Sequence, residues 1–193
     1  NADGQLGDNT VVERSSPTQI PGTTWKGVWS TAWFSLATRT DGTLWAWGPN
    51  NGGNLGLNNP NTDKRSSPAQ IPGTTWSMAT NGKYTSLALR TDGTLWSWGE
   101  NQLGELGLNQ THNLTLSSPT QIPGTTWNYV QGGHRMVVAT KTDGTMWLWG
   151  DNEYGGLGQN SVVQYSSPTQ IPGTDWLQQP KITSESVNIL KEA

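Results

Sequence analysis

Cysteine is absent from this 193-residue chain, which excludes disulfides, zinc–thiolate sites and cysteine nucleophiles. Charged side chains are scarce, at 13% of the residues, and the net charge is -3. Proteins that bind nucleic acids normally carry a basic face, so this composition argues against a nucleic-acid partner. No apolar run approaches the roughly 18 residues that a membrane-spanning helix needs. We therefore predict no insertion into a membrane.

Phenylalanine occurs once, and the chain shows neither an initiator methionine nor a signal peptide. Because the first residues fall in the middle of a repeat, we expect a processed or partial piece of a longer product. The chain is instead rich in glycine and tryptophan, with 24 and 12 residues respectively. Low charge together with many tryptophans is not typical of a disordered chain, so we expect a folded protein.

Internal repeats dominate the sequence, and a fixed period of this length indicates a repeat fold. The segment Ser-Ser-Pro-Thr-Gln-Ile-Pro-Gly-Thr-Thr-Trp ends at Trp25, and near-copies follow at spacings of 51, 51 and 49 residues. The segment Thr-Asp-Gly-Thr-(Leu/Met)-Trp-x-Trp-Gly recurs around Asp41, Asp92 and Asp143. A third element, Asn-x-x-Gly-x-Leu-Gly, starts at Asn1, Asn50, Asn101 and Asn152.

Each repeat predicts four short strands. Residues 86–90 alternate between apolar and small or polar side chains, which is strand periodicity. Asp92-Gly93 predicts a hairpin turn, and the Trp-x-Trp that follows places two indoles on one face of a strand. The proline-containing stretch at 119–123 suits an outer edge strand. Four strands per repeat of about 50 residues are typical of a β-propeller blade, and we expect the indoles of successive repeats to stack on one another.

The predicted fold is therefore all-β, a β-propeller of four-stranded blades of about 51 residues each. The fourth blade lacks its Leu-Trp-x-Trp strand. Three ways of closing the ring therefore remain open: further repeats that complete a seven-bladed ring, a strand donated by a partner chain, or head-to-tail association of copies. A short terminal helix over 184–193 is the alternative to two C-terminal strands. Within one propeller segment over 1–193, the predicted parts are complete blades at 24–73, 75–124 and 126–173 and a split partial blade at 1–22 and 175–193.

These motifs resemble the regulator-of-chromosome-condensation repeat family. The matching residues are Leu-Trp-Ala-Trp-Gly at 44–48, the Asn-x-x-Gly-x-Leu-Gly element, and Ser-Leu-Ala before the Asp-Gly turn. The resemblance implies a propeller that usually closes as a ring of seven blades, and the Pro-Thr-Gln-Ile-Pro-Gly-Thr-Thr-Trp variant looks like bacterial and phage-encoded members. The chain departs from the family in lacking the Gly-Trp-Arg-His-Thr segment of the plant ultraviolet-B photoreceptor branch.

Variation between the copies indicates the candidate binding surface. Invariant columns build the scaffold, whereas the stretch between the first and second strands changes in every copy. Equivalent loops of a propeller gather on one face, where aromatic and arginine side chains are usual anchors for a protein or a sugar. Alternatively, Trp29 and Trp33 fill the packing of the first blade. The candidate partner-binding residues are Trp29, Trp33, Phe34, Lys83, Tyr84, His134 and Arg135.

No catalytic apparatus is recognisable. His112 and His134 lie in different repeats without metal-ligand spacing, and Asp41 occupies a turn that favours aspartate for backbone reasons. We therefore expect no catalytic residues, no metal and no cofactor.

The leading hypothesis is a non-enzymatic recognition or structural module, extracellular or on a virion, that binds a protein or glycan through one propeller face. The first alternative is a subunit that assembles with copies of itself into an appendage or filament. The second alternative rests on the family resemblance alone and is an intracellular regulator of the GTPase-exchange or chromatin type.

Overall fold

The computed structural model describes residues 1–59, 63–110, 113–176, 181–182 and 187–188. Its main elements are three four-stranded antiparallel sheets, each with its strands in sequence order. Neighbouring sheets pack side by side, and this arrangement confirms the all-β propeller fold.

The three sheets span residues 25–71, 76–121 and 127–171 and are called blades 1, 2 and 3. Blade 1 consists of β1 Trp25–Ser30, β2 Ser35–Arg39, β3 Leu44–Gly48 and β4 Arg65–Ile71. Blade 2 consists of β5 Trp76–Asn81, β6 Thr85–Arg90, β7 Leu95–Asn101 and β8 Leu114–Gln121. Blade 3 consists of β9 Trp127–Gly132, β10 Met136–Lys141, β11 Met146–Gly150 and β12 Tyr165–Ile171.

The Asp-Gly turn between the second and third strands is stabilised by its own residues. In blade 1, Asp41 Oδ1 accepts hydrogen bonds from the amide of Thr43 at 3.0 Å and from its hydroxyl at 2.7 Å. The same hydroxyl oxygen accepts a bond from Trp45 Nε1 at 2.8 Å, which fixes the first indole of the Trp-x-Trp strand. Gly42 has a φ of 79°, a conformation that glycine adopts without strain. The hydrogen bonds from Thr43, the hydroxyl above all, hold the pKa of Asp41 below its ordinary value.

The tryptophans contact one another within a blade. In blade 1 the ring centroid of Trp25 lies 6.2 Å from that of Trp45 and 6.0 Å from that of Trp47. The same triad occurs in blades 2 and 3 as Trp76, Trp96 and Trp98 and as Trp127, Trp147 and Trp149. The expectation that indoles stack from one repeat to the next is therefore wrong.

Adjacent blades are joined by the Asn-x-x-Gly-x-Leu-Gly loops, and this explains why the indoles do not stack between repeats. Trp98 of blade 2 donates its indole N–H to the carbonyl of Asn54, in the loop of blade 1, at 2.9 Å. Gly56 in that loop packs so closely that a Cβ would lie 2.6 Å from Trp98 Nε1. Trp149 donates in the same way to Glu105 in the loop of blade 2, at 2.9 Å. Each inner indole is thus covered by the preceding loop.

The two ends of the chain differ in what they form. Residues 1–9 cover blade 1, where Trp47 Nε1 donates to the carbonyl of Gln5 at 2.9 Å. Residues 15–20, which the repeat pattern assigns to an outer strand, form no strand. At the other end, β13 Lys181–Ile182 and β14 Val187–Asn188 pair antiparallel.

The helix considered for 184–193 lies outside the described residues except at Val187–Asn188, which form a strand. The assignment of 1–22 and 175–193 to one split blade stays a prediction. In the part of the chain that the structure describes, the helical element is a 3-10 turn at Asn51–Gly53, and no helix there has the length and apolar character needed to cross a membrane.

Candidate functional site

The loops between the first and second strands bring aromatic and cationic side chains together across blades. The rings of Trp33 in blade 1 and Tyr84 in blade 2 lie 6.0 Å apart between centroids. Lys83 Nζ lies 5.2 Å from the centre of the Tyr84 ring, within the range of a cation–π interaction. Trp33 keeps 42% of its surface exposed although it contacts this neighbour. A surface-accessible aromatic patch therefore crosses the boundary between two blades.

The patch continues from blade 2 to blade 3. The amide of Lys83 donates to the carbonyl of His134 at 3.3 Å, which joins the two variable loops. The carbonyl of Tyr84 accepts from the amide of Glu100 at 3.0 Å, and that of Arg135 accepts from the amide of Asp151 at 2.9 Å. The two loops are thus held at equivalent positions in their blades. We call Trp33, Lys83, Tyr84, His134 and Arg135 the loop strip.

A groove lined by charges of both signs lies beside the strip between blades 2 and 3. It is narrow, with a cavity volume of about 10 Å³, and its lining includes Lys83, Tyr84, Glu100, Glu105 and Arg135. Glu105 is buried, with 7% of its surface exposed, and Oε2 accepts a hydrogen bond from the amide of Leu103 at 2.7 Å. Burial raises the pKa of Glu105, and the positive charge of Arg135 partly opposes this rise. Both signs of charge therefore face each other across this groove.

A wider groove of about 200 Å³ follows on the far side of blade 3. Its lining includes Arg135, Asp151, Glu153 and Tyr154, and Tyr154 is 85% exposed. The last three of these residues were not among the predicted partner-binding residues. Copy-to-copy variation could have found them, because the two positions after the first asparagine of the loop change from Asn51-Gly52 to Glu153-Tyr154.

Two of the seven candidate residues pack in or against the core cluster between blades 1 and 2. Phe34 is completely buried in the core cluster between blades 1 and 2, so its inclusion among the partner-binding residues is wrong. Its position explains the burial, because it immediately precedes β2, whose side chains are largely inside. Trp29 is half-buried and packs against the same cluster, which favours its packing role. The remaining five candidates form the loop strip.

The described residues do not gather three or more histidine, aspartate or glutamate side chains into a group that could hold a metal ion. The chemistry that the strip offers is contact through two aromatic rings and hydrogen bonding or ion pairing through lysine, histidine and arginine. Such a surface is suited to binding a partner by contact.

A sequence model of the family described as Regulator of chromosome condensation (RCC1) repeat matches residues 41–89, 92–140 and 143–183. The chain belongs to the RCC1 repeat family. The first matched unit runs from the Asp-Gly turn of blade 1 through β3, β4, β5 and β6, so it ends within blade 2. One sequence repeat therefore contains the loop that joins two blades.

RCC1 repeats of similar sequence occur in eukaryotic proteins. Human protein RCC2 is 36% identical over 138 residues, which cover 68% of this chain and 26% of RCC2. The ultraviolet-B receptor UVR8 of Arabidopsis thaliana is 30% identical over 162 residues, or 81% of this chain and 37% of the receptor. The chain thus spans about a quarter of RCC2 and little more than a third of UVR8.

Among solved structures, Prp20p of Saccharomyces cerevisiae superposes with a TM-score of 0.79 at 22% identity, covering 91% of this chain and 46% of Prp20p. Prp20p is described with binding properties to Gsp1p and histones. At this identity the superposition shows the shared fold.

These relatives correct two expectations. The matched relatives are from human, Arabidopsis and yeast, so they do not support a bacterial or phage type of repeat. An extracellular or virion-associated location is contradicted, because the matched family is described as a regulator of chromosome condensation.

Proposed function

We propose that this chain is a non-enzymatic protein-binding module and that the loop strip is its contact surface. The observation that carries the proposal is the contact between the exposed ring of Trp33 and the half-buried ring of Tyr84 across two blades, extended by Lys83 and by the Arg135 loop. Each blade contributes one residue from the same column of the repeat, so the strip exists only when the blades are assembled.

The residue types support a protein partner. Tryptophan, tyrosine and arginine are the side chains most enriched among residues that dominate protein–protein binding energy. The strip holds one of each, at Trp33, Tyr84 and Arg135. The carboxylates of Glu100 and Glu105 lie in the adjacent groove, so a partner with charges of both signs fits this surface.

The relatives favour a regulator of the chromatin or GTPase-exchange type, which was the second alternative from the sequence. Prp20p, with the same fold, binds Gsp1p and histones. Human RCC2 shares a third of its matched positions with this chain. We therefore propose a partner of the class that Prp20p binds, and histones are the first probe because Prp20p is described with binding properties to them.

The test uses purified histones and, separately, Gsp1p as probes, with binding measured by isothermal titration calorimetry. The triple variant Trp33→Ala, Tyr84→Ala, Arg135→Ala should weaken binding by tenfold or more, on the order of the 1–2 kcal/mol expected for losing central contacts. The matched control is Thr40→Ala, Thr91→Ala, Thr142→Ala. These threonines are exposed, one per blade, at the opposite end of the second strands.

Equal weakening by both triple variants would show that the loop strip is not the contact surface. Unchanged binding by the strip variant would show the same. If the unaltered chain binds neither probe, the proposed partner class is wrong. A thermal melt of each variant confirms that the blades remain folded.

A further inference from the structure

The loop strip is assembled from loops that are far apart in the sequence, and its geometry depends on what holds these loops together. The end of β5 in blade 2 lies between the loops of blades 1 and 3. Its last two residues, Thr80 and Asn81, are both buried, with 6% and 8% of their surface exposed. Because consecutive side chains of a strand point to opposite faces, each of the two can reach a different neighbouring blade.

Asn81 holds the loop of blade 1. Its Nδ2 donates a hydrogen bond to the carbonyl oxygen of Phe34 at 3.0 Å and a longer one to that of Trp29 at 3.5 Å. Phe34 directly follows Trp33, and its carbonyl oxygen also accepts the amide of Thr31 at 3.1 Å, which closes the loop. One buried amide group of blade 2 therefore contacts both ends of the loop that carries Trp33.

Thr80 holds the loop of blade 3 from the same strand. Its hydroxyl oxygen accepts a hydrogen bond from the amide of Gly132 at 3.0 Å. Gly132 is the last residue of β9 and lies three positions before Arg135. Further along, the amide of Lys83 donates to the carbonyl of His134 at 3.3 Å. Two hydrogen bonds thus join the Arg135 loop to blade 2.

The loops of blades 2 and 3 also approach each other through their backbones. A Cβ on Gly82 would lie 2.9 Å from the carbonyl oxygen of Gly133, and one on Gly132 would lie 3.1 Å from the carbonyl group of Asn81. Neither Gly82 nor Gly132 has a positive φ, so the close approach explains these glycines better than the backbone conformation does. Asn81 therefore contributes its side chain to one neighbouring loop and its backbone to the other.

Thr80 and Asn81 are not part of the repeated scaffold. Other residues occupy the equivalent positions, namely Trp29 and Ser30 in blade 1 and Gln131 and Gly132 in blade 3. A contact that every blade needs recurs from copy to copy, as the indole hydrogen bonds of Trp98 and Trp149 to the preceding loops do. The two side chains of blade 2 instead match the particular loops on either side of them.

We propose that Thr80 and Asn81 are the positioning residues of the loop strip, which fix Trp33 and Arg135 relative to Tyr84 before a partner binds. This inference rests on the proposal that the loop strip is the contact surface. A surface that is already held in its binding geometry loses less conformational freedom on association and binds more tightly. Without these two side chains, the partner would have to order the loops of blades 1 and 3 itself.

Amide hydrogen exchange tests the positioning role in the absence of any partner. Asn81→Leu keeps the approximate size of the side chain and removes the donor, so exchange of the Thr31 amide should rise on the order of tenfold while that of Gly132 stays unchanged. Thr80→Val removes the acceptor and should have the opposite selectivity. Thr80→Ser retains the hydroxyl group and should restore slow exchange at Gly132.

The matched control is Asn54→Leu. Asn54 is also buried, and its Nδ2 donates at 3.1 Å to the carbonyl oxygen of Pro49 within its own loop. A general loss of stability speeds exchange at both reporter amides together. The ratio of the exchange rates at Thr31 and Gly132 therefore separates positioning from destabilisation, and this ratio should not change in the control.

Double-mutant cycles connect the two residues to the strip, with purified histones and Gsp1p as the probes. Asn81→Leu and Thr80→Val should each weaken binding by about three- to tenfold, because a loop must then be ordered on association. The effect of Asn81→Leu should largely disappear in Trp33→Ala, and that of Thr80→Val in Arg135→Ala, since each residue acts through that side chain. The effect of Asn54→Leu should be the same in both backgrounds.

Faster exchange at one loop per variant, rescue by Thr80→Ser and non-additive binding support the proposal. Equal acceleration at both reporter amides would overturn it, as would unchanged exchange or full additivity in the cycles. If the unaltered chain binds neither probe, the proposed partner class is wrong, whereas the exchange rates still decide whether Thr80 and Asn81 position the loops.

Discussion

The loops at 101–109 and 152–160 share the pattern Asn-x-x-Gly-x-Leu-Gly-x-Asn but have different surroundings. Their internal hydrogen bonds agree. Leu106 N donates to Asn101 Oδ1 at 3.1 Å, and Leu157 N donates to Asn152 Oδ1 at 2.9 Å. The central leucine is completely buried in both. Within the described residues, the motif therefore forms the same internal hydrogen bond in both loops.

Outside contacts distinguish the two loops. The first is covered by blade 3: Glu105 accepts the indole N–H of Trp149, and Asn109 N donates to the carbonyl of Ser166 at 2.8 Å. In the second, a Cβ added to Gly155 would meet nothing closer than 3.9 Å within the described structure. The internal hydrogen bond thus shapes each loop. The outside contacts of the first loop join blade 2 to blade 3.

Removing the indole that covers the first loop should have the largest effect. Trp149→Ala deletes a completely buried ring and leaves the Glu105 carbonyl without its donor. We expect a loss of about 3–5 kcal/mol in the free energy of unfolding, measured by urea denaturation. Amide exchange in 103–107 should rise toward that in 154–158. Trp147→Ala, at a half-buried ring, is the control. A loss of less than about 1 kcal/mol in the free energy of unfolding for Trp149→Ala would show that this indole does not hold the first loop in place.

Alanine substitutions at equivalent glycines of the two loops should differ in their effect on stability, by less than the loss expected for Trp149→Ala. Gly107 and Gly158 have similar positive φ values, 68° and 65°, so an alanine is strained about equally at both. A Cβ at Gly107 would lie 2.8 Å from Trp149 Nε1, whereas at Gly158 its closest contact is 3.4 Å, to Ile171 Cδ1. Gly107→Ala should therefore lower the free energy of unfolding by about 1–3 kcal/mol more than Gly158→Ala, as measured by urea denaturation. Equal losses in the free energy of unfolding would mean that Trp149 moves to accommodate the added methyl group.

The smallest effect should come from the carboxyl group in the covered loop. Burial raises the pKa of Glu105 above its value in the unfolded chain. Folding therefore favours the neutral form of Glu105. Its contribution to the free energy of unfolding is fully present below the pKa of the unfolded chain, and it is lost as the pH rises through the pKa of the folded protein. Glu105→Gln should raise the urea midpoint at neutral pH and have little effect at acid pH. Glu153→Gln, at the exposed equivalent loop, is the control, and a pH-independent shift for Glu105→Gln would refute this account.

The loop strip could be predicted only in part. Variation between copies identified Trp33, Tyr84 and Arg135 as one column, because changes in a repeat are free where the scaffold does not constrain them. The same signal also selected Phe34, which is buried. Variation reports freedom to change, whereas exposure depends on which way a side chain points once two blades pack. The acidic residues beside the strip were missed because they come from a different loop in sequence.

The period, the four strands of each blade and the Asp-Gly turns could be predicted from the repeats alone, and the asparagine loops also form through contacts within their own motif. The hydrogen bonds that fix those turns and loops lie within a few residues, as between Asp41 and Thr43, so the local sequence is sufficient. The octapeptide Ser-Ser-Pro-Thr-Gln-Ile-Pro-Gly is identical at 15–22, 117–124 and 166–173. Only the tertiary structure decided that it is a strand at 117–121 and 166–171 but not at 15–20. A strand needs donors and acceptors from a neighbouring segment, and no property of the octapeptide supplies them.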